Sequence, residues 1–334
     1  MQNRAPKYAL WTGGSVACLS LCVLLSLSLG EMPIWPWQWR GAGPGSMEMN
    51  ILVQLRLPRT LTALCIGGML SMSGCILQGL FKNPLVEPYT LGISGGASLG
   101  VALSFLGGIV QRWGSVGSSI SAFAGSAGIG LILLFYHRKR PGTGNLLLAG
   151  IMLSILCSSV TTLLLSISTP ENMTRVIYWT MGSLSYATPQ QAFSLCGFSI
   201  AGLASGILLS QRLNLMNLGE QTARHLGVNT AILVPALLLL TSCLTAVCVA
   251  SAGIIGFVGL VVPHILRSLA GADYRLLIPV SFIGGGVFLV LCDLLARSIV
   301  HPGQLPVGVV CGILGGGLFV YLLVKPQKKQ NAPA

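Results

Sequence analysis

The chain has 334 residues, of which 53% are hydrophobic and 8% charged, with a mean hydropathy of +0.80. A soluble domain carries about 25% charged residues, so lipid is the solvent for most of this chain and a water-soluble enzyme is excluded. The net charge of +12 is spread over short segments between apolar runs, not gathered in one stripe, which argues against a nucleic-acid partner.

A membrane-spanning helix needs about 20 mostly apolar residues. Gly, Pro and charged clusters punctuate the chain at nearly that interval and predict an all-α polytopic membrane protein of about ten spans: 9–29, 60–81, 91–109, 115–136, 145–167, 190–210, 229–250, 255–269, 276–297 and 306–324. The first follows Arg4 and Lys7 and is long enough to cross, so it reads as an uncleaved helix and not as a signal peptide. Trp35, Trp37 and Trp39 then suit the membrane interface.

The second span opens on Arg56-Leu57-Pro58-Arg59, where Pro58 favours a chain entry and two cations stand at the outer mouth. Asn83-Pro84-Leu85-Val86-Glu87-Pro88 breaks the chain at the cytoplasmic end. The third span is glycine-rich from Leu91 to Gly100, and Gly96 with Gly100 forms a close-packing face. Before the fifth span stand the basic cluster His137-Arg138-Lys139-Arg140 and Gly142-Thr143-Gly144-Asn145.

Between the sixth and seventh spans, Gly219 and Gly227 bound a short polar helix in which Glu220 and Arg224 sit four residues apart, as an ion pair prefers. The eighth span is short and contains Pro263. The ninth holds Asp293, the acidic residue that falls inside a span; Arg297 four residues on can neutralise it, against the alternative of a proton relay.

With the N-terminus in the cytoplasm, thirteen of the nineteen Lys and Arg fall inside and six outside: Arg40, Arg56, Arg59, Arg112, Arg175 and Arg297. The positive-inside rule therefore places both termini in the cytoplasm. The chain is expected to be one transmembrane domain over 1–334, with a cytoplasmic N-terminus at 1–8, a cytoplasmic loop at 211–228 and a cytoplasmic tail at 325–334.

Catalytic and metal-binding patterns are missing. None of the six lysines follows a glycine, so no phosphate cradle of the G-x-x-x-x-G-K-[ST] type exists and any ATP must act on a partner subunit. His137, His225, His264 and His301 lie far apart, which gives no metal-ligand spacing, and no cofactor is expected. The ten cysteines lack C-x-x-C spacing and read as small buried hydrophobes.

The succession of Arg56-Leu57-Pro58-Arg59, Asn83-Pro84-Leu85 and Leu91-Gly92-Ile93-Ser94-Gly95-Gly96-Ala97-Ser98-Leu99-Gly100 resembles the iron-siderophore, haem and cobalamin permease family (FecCD type) of ABC importers. The likeness continues through Leu147-Leu148-Ala149-Gly150, Tyr178 to Leu184, Leu218 to Gly227, Gly256 to His264, Asp293 to Arg297 and Leu305-Pro306-Val307-Gly308, over roughly residues 50 to 325. It implies ten-helix subunits paired as a homodimer or pseudo-dimer in the bacterial inner membrane. Two cytoplasmic ATPase subunits and a soluble periplasmic or lipid-anchored binding protein complete the implied machine.

The resemblance assigns binding-protein docking to Arg56, Arg59 and Arg297. It assigns ATPase coupling to Leu218, Gly219, Glu220, Ala223, Arg224, His225, Leu226 and Gly227, and a cytoplasmic gate to Thr143 and Gly144. The cargo expected from the breadth of the family is an iron chelate, a ferric siderophore or haem, with cobalamin as the alternative. An ion-coupled secondary transporter would need ionisable residues near the midplane, where Asp293 is the lone, off-centre candidate. A purely structural membrane subunit would leave the outward arginines and the inward polar helix without a shared explanation.

Overall fold

The computed structural model describes residues 5–30, 34–35, 46–140, 142–300 and 303–324. Trp37, Trp39, Arg40, His301 and the tail at 325–334 lie outside the described residues, as do the first four residues of the expected N-terminal segment. The described chain is helical: α1 (Ala5–Ser28), α2 (Leu57–Phe81), α3 (Ile93–Leu106), α4 (Ile109–Lys139), α5 (Thr143–Ser166) and α6 (Pro170–Thr180) are followed by α7 (Pro189–Asn217), α8 (Glu220–His225), α9 (Thr230–Ala252), α10 (Val258–Ala270), α11 (Tyr274–Ser298) and α12 (Val307–Val324). A short helix, Met47–Asn50, and a π-helical turn, Ile51–Arg56, run continuously into α2.

Among the described residues, six helices are long and apolar enough to cross a membrane: Met47–Phe81, Ile109–Lys139, Thr143–Ser166, Pro189–Asn217, Thr230–Ala252 and Tyr274–Ser298. The other four of the ten expected spans appear as shorter apolar helices, Gly13–Ser28, Ile93–Leu106, Val258–Ala270 and Val307–Leu322. Backbone breaks shorten two of them. Gly92 at φ +81° opens α3, and Phe257 at φ +68°, a rare left-handed setting for a bulky residue, opens α10. Among the described helices, α6 is one that apolar run length does not announce; Thr169 caps it through Asn172 N at 3.4 Å and Pro170 occupies its first turn.

Helix α2 is the axis of the fold, buried on every side among α7, α9, α10 and α11. Between lipid-embedded helices no hydrophobic force acts, so close approach and hydrogen bonds must hold them. At the α2–α11 crossing a Cβ on Gly67 would meet the Gly285 backbone, and at the α3–α4 crossing a Cβ on Gly96 would meet Gly125 and Ile129. The close-packing face expected for Gly96 and Gly100 is the one that meets α4, where Ser126 Oγ also donates to Ile93 O at 3.1 Å.

Pro263 cannot donate to Gly259 O one turn back, which leaves a buried carbonyl without its helical partner. Gln78 of α2 supplies the missing bond: its Nε2 donates to Gly259 O and Leu260 O, each at 3.2 Å. A proline inside α10 is thereby turned into a cross-link to the central helix.

The break after α2 is clasped to the break before α10 in the same way. Tyr89 Oη accepts from Ile255 N at 3.2 Å, and Glu87 accepts the Phe257 N–H. Burial pushes the Glu87 carboxyl up to about 7, the Phe257 N–H opposing that rise.

Candidate functional site

At the outer face, Arg56, Arg59, Asp293 and Arg297 converge on the C-terminal end of α1. That helix has no basic residue in its last turn, so its carbonyls need donors from elsewhere. Arg56 Nη1 donates to Leu27 O at 2.7 Å and Ser28 O at 3.1 Å, and Arg297 Nη2 donates to Ser26 O at 2.8 Å and Ser26 Oγ at 2.6 Å. With Leu29 N on Leu25 O at 2.8 Å, all four terminal carbonyls are satisfied.

Asp293 supplies the counter-charge. The pairing expected with Arg297 is present but long, at 3.6 Å, while Arg59 grips the carboxylate through two nitrogens, Nη2 to Oδ1 at 2.7 Å and Nε to Oδ2 at 3.1 Å. Sequence spacing finds the neighbour on the same helix and misses the stronger partner on α2. Arg59 also donates to Gln304 Oε1 at 2.6 Å. Arg56 and Arg297 are 6% and 5% exposed, and only Arg59 of the three, at 12%, reaches toward the surface.

At the cytoplasmic face the short polar helix expected between the sixth and seventh spans is α8. Glu220 and Arg224 pair at 2.8 Å, and Thr230 Oγ1 joins them at 2.9 Å from Arg224 Nε and 3.3 Å from Glu220. Gly227, at φ +85°, ends the helix: its N–H bonds Arg224 O at 3.0 Å and Val228 N bonds Ala223 O at 2.9 Å. This is the Schellman closure that the glycine's position suggests. Ala223 is fully buried on the inner face of α8, while Leu218, His225 and Leu226 face outward.

Thr143 and Gly144 form the first turn of α5, Thr143 half-buried and Gly144 exposed. Thr143 shares a cavity of about 560 Å³ with Glu220, Arg224, His137 and Arg138. Residues assigned separately to gate and coupling thus line one space.

A second cleft, of about 290 Å³, opens between α3, α5 and α6 and is edged by Ser94, Ser98, Ser154, Ser158, Thr161 and Thr180. Several of these hydroxyls are spent locally, Ser98 on Ser94 O at 3.1 Å, Thr161 on Cys157 O at 2.8 Å and Thr180 on Ile177 O at 2.7 Å. Their oxygens remain as weak acceptors on an otherwise apolar wall. The i,i+4 spacing of Ser94 with Ser98 and Ser154 with Ser158 is the signal in the sequence that could have marked this stripe. Among the described residues no three His, Cys, Asp or Glu side chains gather as metal ligands.

A buried central helix, broken helices clasped to each other and polar elements at both faces define a polytopic membrane permease. The pattern of the FecCD transport family matches residues 18–325, and the chain belongs to that family. It is 40% identical over 308 residues to the vitamin B12 import system permease protein BtuC of Salmonella typhi, covering 92% of this chain and 93% of that one. The corresponding protein of Salmonella arizonae is 40% identical over 309 residues, 92% of each chain.

Among solved structures, one described as an inward-facing conformation of a metal-chelate type ABC transporter superposes with a TM-score of 0.84 at 31% identity, covering 94% of this chain and 98% of that one. PsaBC from Streptococcus pneumoniae shares the fold alone, at 16% identity and a TM-score of 0.51 over 82% of this chain and 93% of that one. The chain is a multi-pass inner-membrane permease with cytoplasmic termini and no ATPase activity or cofactor of its own. It functions in an assembly of a permease dimer, ATPase and binding protein.

Proposed function

We propose that the chain carries a corrinoid of the cobalamin type inward. Motifs shared across the family do not separate iron chelates from corrinoids; the 40% identity to vitamin B12 permeases over 92% of the chain favours the corrinoid. The hydroxyl-edged cleft suits that cargo, because weak acceptors and donors on an apolar wall can meet a corrinoid's peripheral amides without holding them. At about 290 Å³ the cleft is at the small end of ligand pockets, roughly 300–1,000 Å³, so it serves as one wall of a path completed by the second permease copy.

In this reading all ten apolar helices cross the membrane, which labelling of single introduced cysteines from either side would count. Of the Arg56, Arg59 and Arg297 cluster, Arg59 receives the binding protein while Arg56 and Arg297 hold the end of α1 beneath it, and the segment Leu218 to Gly227 receives the push of the ATPase. That push reaches the gate at Thr143 and Gly144 through the cavity that Thr143 shares with Glu220 and Arg224.

The test is uptake by the reconstituted importer, with this chain, its ATPase and its binding protein in proteoliposomes. Labelled cobalamin should accumulate with ATP, while a ferric hydroxamate and haemin should not; accumulation of either iron chelate without cobalamin would overturn the cargo assignment. In the same assay a Glu220→Gln, Arg224→Gln double variant should keep hydrolysing ATP and lose uptake. Full retention of coupled uptake would remove α8 from the mechanism.

A further inference from the structure

Two cysteines on different helices meet in the outer half of the membrane. Cys65 follows Arg59 on α2, about 9 Å deeper at the helical rise per residue, and Cys196 lies near the outer start of α7. Their sulfurs are 3.5 Å apart, although the two residues are separated by 131 positions in sequence. A disulfide needs about 2.05 Å between its sulfurs, so a closing movement of about 1.5 Å joins this pair.

The two thiols differ in access. Cys65 is 6% exposed, whereas Cys196 is half-buried and stands beside Phe193, Gly197 and Phe198, all exposed on an apolar helix of spanning length and so turned toward lipid. A reagent that comes through hydrocarbon therefore meets Cys196 first. The thiolate is the reacting form of cysteine, and apolar surroundings disfavour it, so a nearby donor decides whether the second sulfur can follow. Ser199 Oγ lies 2.9 Å from Cys196 O and 3.5 Å from Cys65 Sγ. Its hydroxyl can rotate from the carbonyl to the sulfur as negative charge develops on Cys65.

Other thiols supply the contrast. Cys292 of α11 and Cys311 of α12 are also bonded to each other, but at 1% and 0% exposure they are sealed from any reagent. Cys248, close to Cys65, is equally buried and its thiol is bonded to Ile66 O at 3.9 Å.

We infer that Cys65 and Cys196 form a reversible thiol–disulfide site open to small apolar disulfides dissolved in the membrane. In the first step the Cys196 thiolate attacks one sulfur of the reagent; the reagent's S–S bond breaks, and one half leaves as a thiolate that takes up the proton given by Cys196. In the second, the Cys65 thiolate attacks Cys196 Sγ; the bond from Cys196 to the reagent breaks, and the other half leaves with the proton given by Cys65. The chain gives up two protons and two electrons, and the reagent gains them. The product ties α7, which leads into α8, to the central helix α2.

The experiment treats the full chain in detergent micelles with dithiodipyridine, an apolar disulfide, or with oxidised glutathione, a charged one, and maps the products by peptide mass spectrometry without reduction. Dithiodipyridine should join the Cys65 and Cys196 peptides with the loss of two hydrogens, and dithiothreitol should reverse it; oxidised glutathione should give no such product. Cys65→Ser should stop the reaction at a pyridyl adduct on Cys196, while Cys196→Ser should leave Cys65 unmodified. Cys292 and Cys311 should stay free thiols. Adducts on the exposed Cys18 and Cys243 confirm that the reagent is active.

Separate adducts on Cys65 and Cys196 with no cross-link would overturn the proposal. So would free thiols at both positions in the unmodified chain while Cys18 carries its adduct, a result that needs no variant to fold. Equal cross-linking by oxidised glutathione would overturn the route through lipid, and loss of the Cys292 and Cys311 thiols at the same rate would overturn selection of the pair by access.

Discussion

Asp293 is 1% exposed and stands between two guanidiniums, Arg59 at 2.7 Å and Arg297 at 3.6 Å, with Arg56 on the neighbouring carbonyls. Removing one partner of a buried pair costs about 3–5 kcal/mol, because the remaining charge is left uncompensated. Asp293→Asn keeps the shape and removes the charge, so it should lower the thermal midpoint in micelles by an amount equivalent to about 3 kcal/mol. An unchanged midpoint would mean that the arginines are solvated and the cluster is not structural. Docking is a separable matter. Arg297→Glu would set a second carboxylate beside Asp293, so a docking defect there would report the fold. Arg59→Gln removes the one guanidinium of the three that reaches the surface and leaves the α1 carbonyls bonded. It should weaken binding-protein capture several-fold at low salt, the regime in which exposed charge acts at range; capture unaffected by this change would remove the arginines from docking.

At the scale of elements, the bond from Gln78 to Gly259 O makes α10 depend on a side chain 181 residues away in sequence. Gln78→Leu should cost about 1–3 kcal/mol for the orphaned carbonyls. Pro263→Ala returns an N–H to the helical ladder, so in that background the same change should cost measurably less, a coupling that a double-mutant cycle in thermal unfolding reads directly. Purely additive costs would mean that Gln78 does not stand in for the proline's missing donor. This dependence also marks where the sequence stops being legible. Apolar runs were readable because lipid forbids interruptions, and the turn of α8 was readable because Glu220, Arg224 and Gly227 act on neighbours within a few residues. Helix α6 was not, since its 11 residues are too few to register as a span. Nor was the burial of Arg56 and Arg297: their acceptors on α1 lie 29 and 271 residues away, and nothing local to either arginine names them.

For the molecule as a whole, seven acidic residues against nineteen basic ones leave few carboxylates to shape its response to pH. Glu171, Glu220 and Asp293 each face an arginine, and Asp273 accepts from Asn214 at 2.8 Å. Glu87 differs: it is clasped between the break after α2 and the start of α10, and burial raises its carboxyl from 4.5 to about 7. A carboxyl raised in the folded state binds its proton more tightly there than in the unfolded chain. Its contribution to stability is therefore complete below pH 4.5, declines as pH rises toward 7 and is absent above. Glu87→Gln keeps an acceptor for the Phe257 N–H and has no proton to lose. Relative to this variant, the unmodified chain should lose on the order of 2 kcal/mol between pH 5 and pH 8, partial solvent contact allowed for. Comparing the two proteins at each pH cancels the histidines and every other titrating group, so the difference in thermal midpoints isolates this one carboxyl. Parallel pH profiles for the two would show that Glu87 is ionised without penalty and that the clasp between the broken helices does not depend on its proton.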